Sequence, residues 1–191
     1  MMKPMDPAPT IRLADPDRDA VAIAAIYAPA VESTVASFEE AAPSADEMAR
    51  RIRTTLARTP WLVAVDSRDE AIGYAYAGPH AERAGYRWSV NVSAYVRADW
   101  QGRGIGRSVY DELISLLRRQ RFVNAYAGIA LPNPASVSLH EGIGMRRIGV
   151  YERVGWKAGA WLDVAWFGMR LQEPSEPPQE PIPLPELASL P

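Results

Sequence analysis

Gln101-Gly102-Arg103-Gly104-Ile105-Gly106-Arg107 is the stretch of this sequence with the plainest chemistry. Its three glycines stand on alternate positions, interleaved with Arg103 and followed by Arg107. Glycine has no Cβ, so an anionic ligand can come close to the backbone. The apolar run before the loop reads as a strand, and the pattern after it, through Arg121, as a helix. The first amides of a helix have no internal partner, and the helix dipole adds partial positive charge there. With two arginines supplying whole charges, the segment is suited to holding a pyrophosphate. Two histidines, His80 and His140, are the side chains able to exchange protons near neutral pH. They lie far apart with no third ligand beside either, so no metal centre is expected. The chain has no cysteine, which excludes thiolate nucleophiles and thiolate metal sites.

These groups need a scaffold, and the hydrophobic periodicity supplies one. Strands are expected at Thr10–Leu13, Trp61–Val65, Ala71–Ala77, Trp88–Val96, Asn124–Ala130, Arg146–Val154 and Leu162–Leu171. Asp15-Pro16 starts a helix whose apolar face is Val21, Ala24, Ala28 and Val31. Ser44 and Glu47 make a capping box for a second helix with Met48, Ile52 and Leu56 on its stripe. Gly104–Arg121 is the third helix and Ser136–Ile143 a short fourth, stopped by Gly144. Trp61–Val65 and Ala71–Ala77 read as a hairpin, whereas Trp88–Val96 and Asn124–Ala130 are parallel because a helix joins them. The class is α/β (α+β), a mixed sheet of about seven strands with flanking helices. Phe38 falls in the Ser33–Glu40 loop, and His80, Arg83 and Tyr86 in the Gly78–Tyr86 loop.

The 191 residues suit one domain, with hydrophobic residues at 48% and charged residues at 23%. A net charge of −2 gives no footprint for a nucleic-acid partner. The start, MMKPMDPAPT, lacks the apolar core of a signal peptide, and no apolar run approaches the roughly 18–20 residues that span a bilayer. A cytoplasmic protein without membrane attachment is expected. Residues 1–9 read as a flexible lead-in. From Gln172 the composition changes: seven of the 17 prolines and four glutamates, with no basic residue, mark 172–191 as a solvated, disordered tail. The folded domain is therefore expected over 10–171.

Three phosphate binders compete for the glycine loop, beside a plain glycine-rich helix start. A P-loop needs Gly-Lys-Ser/Thr, and here Gly106 is followed by Arg107-Ser108. A dinucleotide fingerprint needs an acid about 20 residues on, and none occurs between Glu112 and Glu141. The third matches: Gln101 through Gly106 resembles the Gln/Arg-x-x-Gly-x-Gly/Ala loop of the GNAT acetyltransferase superfamily. Further motifs look like its phosphinothricin and methionine sulfoximine acetyltransferase branch. They are Gly73-Tyr74-Ala75-Tyr76-Ala77-Gly78-Pro79, Tyr86-Arg87-Trp88, Tyr95-Val96, Gly128-Ile129-Ala130-Leu131-Pro132-Asn133 and Leu139-His140-Glu141, then Gly155, Lys157, Gly159, Trp161 and Asp163. The resemblance runs in order from about Thr10 to Leu171.

The resemblance implies a GNAT fold whose central parallel strands splay apart to admit coenzyme A. It implies acetyl-CoA as co-substrate, held by the backbone of Ala94, Tyr95 and Val96, by Gln101, Gly102, Arg103, Gly104, Ile105, Gly106 and Arg107, and by Asn133 and Ser136. It implies a small-molecule amine acceptor, an amino acid or analogue, bound near Phe38, Arg83, Tyr86 and Trp88 in a homodimer. The Lys157–Trp161 loop would support that dimer. His140 stands where relatives have a group proposed to protonate the leaving thiolate, and a structural histidine is the plain alternative. Asn91 stands where the branch usually carries a glutamate taken as the general base, and an amide cannot accept the proton. Either the base lies elsewhere, or water carries the proton, or the acceptor differs, or activity is low and the chain is a weakly catalytic coenzyme A-binding module. His80 reads as a loop residue.

Overall fold

The computed structural model describes residues 8–187. A seven-stranded sheet forms the body, in the order β1-β2-β3-β4-β5-β7-β6: β1 (Thr10–Leu13), β2 (Trp61–Val65), β3 (Ala71–Pro79), β4 (Ser89–Val96), β5 (Asn124–Ala130), β6 (Arg146–Lys157) and β7 (Ala160–Arg170). Helices α1 (Pro16–Glu32) and α2 (Ala45–Leu56) cover one face over β1–β4. Helix α3 (Ile105–Arg119), with α4 (Pro134–Gly142) beside it, covers the other. A last short helix, α5, spans Leu184–Leu187.

Alternation along the strands decides what each face carries. Val90 and Val92 are buried in the core that α3 closes with Val109, Leu113 and Leu117. Asn91, Ser93 and Tyr95 therefore point to the opposite face, where Tyr74 and Tyr76 pack under α1 and α2. The helix starts agree with the sequence: Asp15 Oδ1 accepts from Asp17 N–H, and Ser44 Oγ from Glu47 N–H. The expected capping box is only half formed, because Arg50 and Arg51 hold the Glu47 carboxylate.

β4 and β5 are parallel, and they pair only over Ser89↔Asn124, Val90↔Ala125 and Asn91↔Tyr126. Beyond Asn91 the two strands part. The loop expected between the last two strands is instead absorbed into a long hairpin, closed by the Trp156–Trp161 cross-strand pair with ring centroids 5.5 Å apart.

The tail differs most from expectation. Residues 172–187 are not free in solvent but run back along the body. Gln120, wholly buried, donates to the carbonyls of Arg58 and Ile182, and its own carbonyl accepts from Ile182 N–H. Leu184 and Leu187 are buried. Three apolar residues in a polar, proline-rich segment are enough, because the body offers unpaired backbone groups that the segment satisfies. The lead-in over 1–9 falls mostly outside the described residues.

Candidate active site at the strand splay

The glycine loop follows β4 and opens α3. Gly102 and Gly104 have φ of +75° and +83°, in the left-handed region where a Cβ is disfavoured, and a Cβ built on either would project into open space. Gly106 has a different reason: a Cβ there would come within 3.0 Å of Leu139 on α4. Gln101 Nε2 donates to Val96 O at 3.2 Å and ties the loop to its strand. Arg103 lies over the Trp100 ring, 4.8 Å from its centroid, and Arg107 donates to Gly142 O at 2.9 Å. The result is an exposed concave backbone at a helix N-terminus with two cations beside it. On the other side of β4 from β3, the backbone of Ala94–Val96 has no partner strand. A ligand with a pyrophosphate and an amide-bearing extended arm fits this pair of features.

Asn133 and Ser136 sit on the far lip of the splay. Asn133 caps α4, its Oδ1 accepting from Ser136 N–H at 3.1 Å.

His140 is built into the core. Its Nδ1 lies 2.7 Å from Ser136 O, which can only accept, so Nδ1 carries the proton. Nε2 then accepts from the Tyr110 hydroxyl at 3.0 Å, and Tyr110 is fully buried. Burial lowers the His140 pKa, opposed in part by the Ser136 carbonyl. With both ring nitrogens engaged, His140 joins α3 to α4.

The last paired residues, Asn91 and Tyr126, form the floor on the α1/α2 face. His80 turns over this floor from the end of β3: its Nδ1 is 2.9 Å from Asn91 Oδ1, and its ring is 4.5 Å from that of Tyr126. Tyr86 and Trp166 stand edge-on to it at 5.9 and 6.4 Å. Trp166 Nε1 is buried and has no hydrogen-bond partner among the described residues. A separate cavity of about 250 Å³ lies under α2, lined by Tyr27, Met48, Arg51, Trp61, Tyr74 and Tyr76.

The loop after α1 overhangs the same face. Lys157, at the tip of β6, donates to the carbonyls of Val31 at 2.6 Å, Glu39 at 3.2 Å and Ser37. Phe38 lies on Gly155, where a Cβ would collide with its ring. Lys157 thus positions the Phe38 loop within one chain, a role the sequence assigned instead to a subunit contact. Glu39 is bound bidentately by Arg51, which lowers its pKa, and it also accepts from Tyr27, whose hydroxyl burial pushes up to about 12.

Of the expected acceptor residues, Phe38 and Tyr86 reach the rim. Arg83 is exposed on the same loop and forms no ion pair among the described residues. Trp88 is taken up elsewhere: its Nε1 donates to Gln179 O at 2.8 Å, and Arg87 stacks on its ring while holding Glu180. Sequence reasoning missed Tyr126 and Trp166. Strand register would have found them, since both fall on the Asn91 face. Among the described residues no cluster of three or more metal-ligating side chains occurs, and no helix is long and apolar enough to cross a membrane.

Comparison with known proteins agrees with this geometry. The family model described as an acetyltransferase (GNAT) domain matches residues 11–166. Phosphinothricin N-acetyltransferase from Streptomyces viridochromogenes is 32% identical over 165 residues, covering 86% of this chain and 90% of that protein. The L-methionine sulfoximine/L-methionine sulfone acetyltransferase of Pseudomonas aeruginosa is 36% identical over 157 residues, covering 80% and 90%. The crystal structure of a GNAT superfamily phosphinothricin acetyltransferase from Sinorhizobium meliloti, in complex with AcCoA, superposes with a TM-score of 0.84 at 34% identity, covering 92% and 94%. A glycine cradle beside a splayed pair of parallel strands, on a chain with these relatives, belongs to the GNAT family of acetyltransferases.

Proposed function

We propose that this enzyme transfers the acetyl group of acetyl-CoA to the primary amine of a small amino acid or analogue of the phosphinothricin or methionine sulfoximine type. The carrying observation is the placement of the β4/β5 splay. It opens from the glycine loop at one end to the aromatic floor of Asn91, Tyr126 and Trp166 at the other. The names of the relatives agree with both donor and acceptor.

When bound, acetyl-CoA supplies a thioester already activated towards an amine, so no covalent enzyme intermediate is required. The amides of Gly102–Arg107 bind its pyrophosphate, and the free edge of Ala94–Val96 aligns its arm. Arg83 offers a charge to the carboxylate of the acceptor, and Tyr86 and Phe38 pack on its stem. The large exposed side chains of the β6–β7 hairpin, Ile148, Tyr151, Val154, Trp156 and Trp161, support a homodimer through that hairpin. The cytoplasm, where coenzyme A thioesters are supplied, is the proposed location.

A second reading has one specific support. A Brucella melitensis structure called ribosomal-protein-alanine N-acetyltransferase superposes with a TM-score of 0.80 at 34% identity. Release of free coenzyme A with phosphinothricin, methionine sulfoximine, methionine sulfone, other amino acids and an alanine-ended peptide decides between them. Turnover with the first three is expected. Turnover confined to the peptide would replace the small-molecule reading.

A further inference from the structure

We propose that His80 is the proton acceptor for the attacking amine, and that Asn91 is its positioning residue. This deepens the acetyl-transfer reading above and rests on it.

Asn91 cannot take a proton, yet it stands at the last register pair before β4 and β5 separate, where the donor's arm must end. Its carbonyl Oδ1 is 2.9 Å from His80 Nδ1. An amide oxygen only accepts, so Nδ1 carries the hydrogen of the neutral imidazole and the lone pair is left on Nε2. Among the described residues Nε2 has no hydrogen-bond partner. The ring is fixed by Tyr126 at 4.5 Å and flanked by Tyr86 and Trp166. This is the arrangement of an oriented base: one nitrogen anchored to an acceptor, the other without a hydrogen-bond partner among the described residues. The other candidates are occupied. His140 has both nitrogens bonded in the core, and Glu39 is held by Arg51 and Tyr27. The remaining groups of the floor, Asn91, Ser93 and Tyr126, include no carboxylate.

The step balances without further reagents. His80 Nε2 takes one proton from the acceptor's ammonium and so frees the nitrogen lone pair. That pair forms the N–C bond to the thioester carbon. The C–S bond breaks with its electrons on sulfur. The second N–H proton neutralises the thiolate, and the imidazolium returns its proton to solvent.

The test uses His80→Ala, Asn91→Ala and Asn91→Asp in the full chain. In wild-type protein, with or without acetyl-CoA, nitrogen-15 spectra should show His80 protonated at Nδ1 and bare at Nε2. Asn91→Ala should lose that tautomer bias, and Asn91→Asp should retain it. His80→Ala should lower kcat by about 10²-fold or more. It should leave acetyl-CoA affinity by calorimetry unchanged. Activity of His80→Ala within threefold of wild type, or a wild-type ring protonated at Nε2, overturns the assignment alone. Wild-type protein inactive with every amine overturns the acetyl-transfer reading and this one with it.

Discussion

Tyr110 gives its hydroxyl hydrogen to His140 Nε2 across 3.0 Å of closed core, and so fastens α3, which carries the glycine loop, to α4. Burial keeps this imidazole neutral by lowering its pKa. The folded value lies below the unfolded one, so the unfolded chain binds more protons as pH falls. The stabilising contribution is complete above the ordinary histidine value of about 6.5 and is lost as pH drops below it. Urea unfolding should therefore show stability declining from pH 7.5 to 5. The depressed carboxylates Asp19 and Glu39 act in a lower window, near and below pH 4. His140→Gln should flatten the slope between pH 7.5 and 5 and cost about 1–3 kcal/mol at pH 7.5. An unchanged slope would show that His140 is not its source.

Gly104→Ala should damage the donor site in two ways. Holding alanine at φ +83° costs about 1–2 kcal/mol, which lowers the melting temperature. The added methyl points into the open cradle, so the upward thermal shift produced by acetyl-CoA should shrink or vanish. A full shift in the variant would remove the loop from the binding site.

Lys157→Met leaves the carbonyls of Val31, at the end of α1, and of Ser37 and Glu39, on either side of Phe38, without their donor. The loop should exchange its amide hydrogens faster, and the acceptor KM should rise about tenfold, equivalent to about 1.4 kcal/mol. Acetyl-CoA affinity should not change. Equal losses for both substrates would mean that Lys157 supports the whole domain instead.

Leu184→Ala should cost about 2 kcal/mol or more, since a buried leucine is truncated at the end of the returning segment. It should also expose residues 172–187 to limited proteolysis. Protection unchanged from wild type would place the segment's anchorage at Trp88, Arg87 and Gln120 alone.

Most of the scaffold was legible in the sequence because local signals and tertiary burial agree there. The Asp15 and Ser44 caps, the glycine loop and the parallel β4/β5 pair all follow from residue type and spacing. The glycine loop was readable for the same reason, as it is mostly backbone and lies in one continuous stretch. The floor beside Asn91 was not. His80, Asn91, Tyr126 and Trp166 come from four segments and meet only through strand register. Residue type alone does not reveal that Ser136 and Tyr110 engage both nitrogens of His140. The returning tail was hidden because its binding surface, Gln120 and the Arg58 carbonyl, lies far away in the chain.

Among the described residues only three pairs join β1–β4 to β5–β7 through the sheet. In the ligand-free chain this is a seam between two blocks, each with its own antiparallel hydrogen bonding. A donor bound as proposed would bridge that seam as an added strand, and amides of β4 and β5 beyond Asn91 and Tyr126 should then mark donor occupancy in hydrogen exchange.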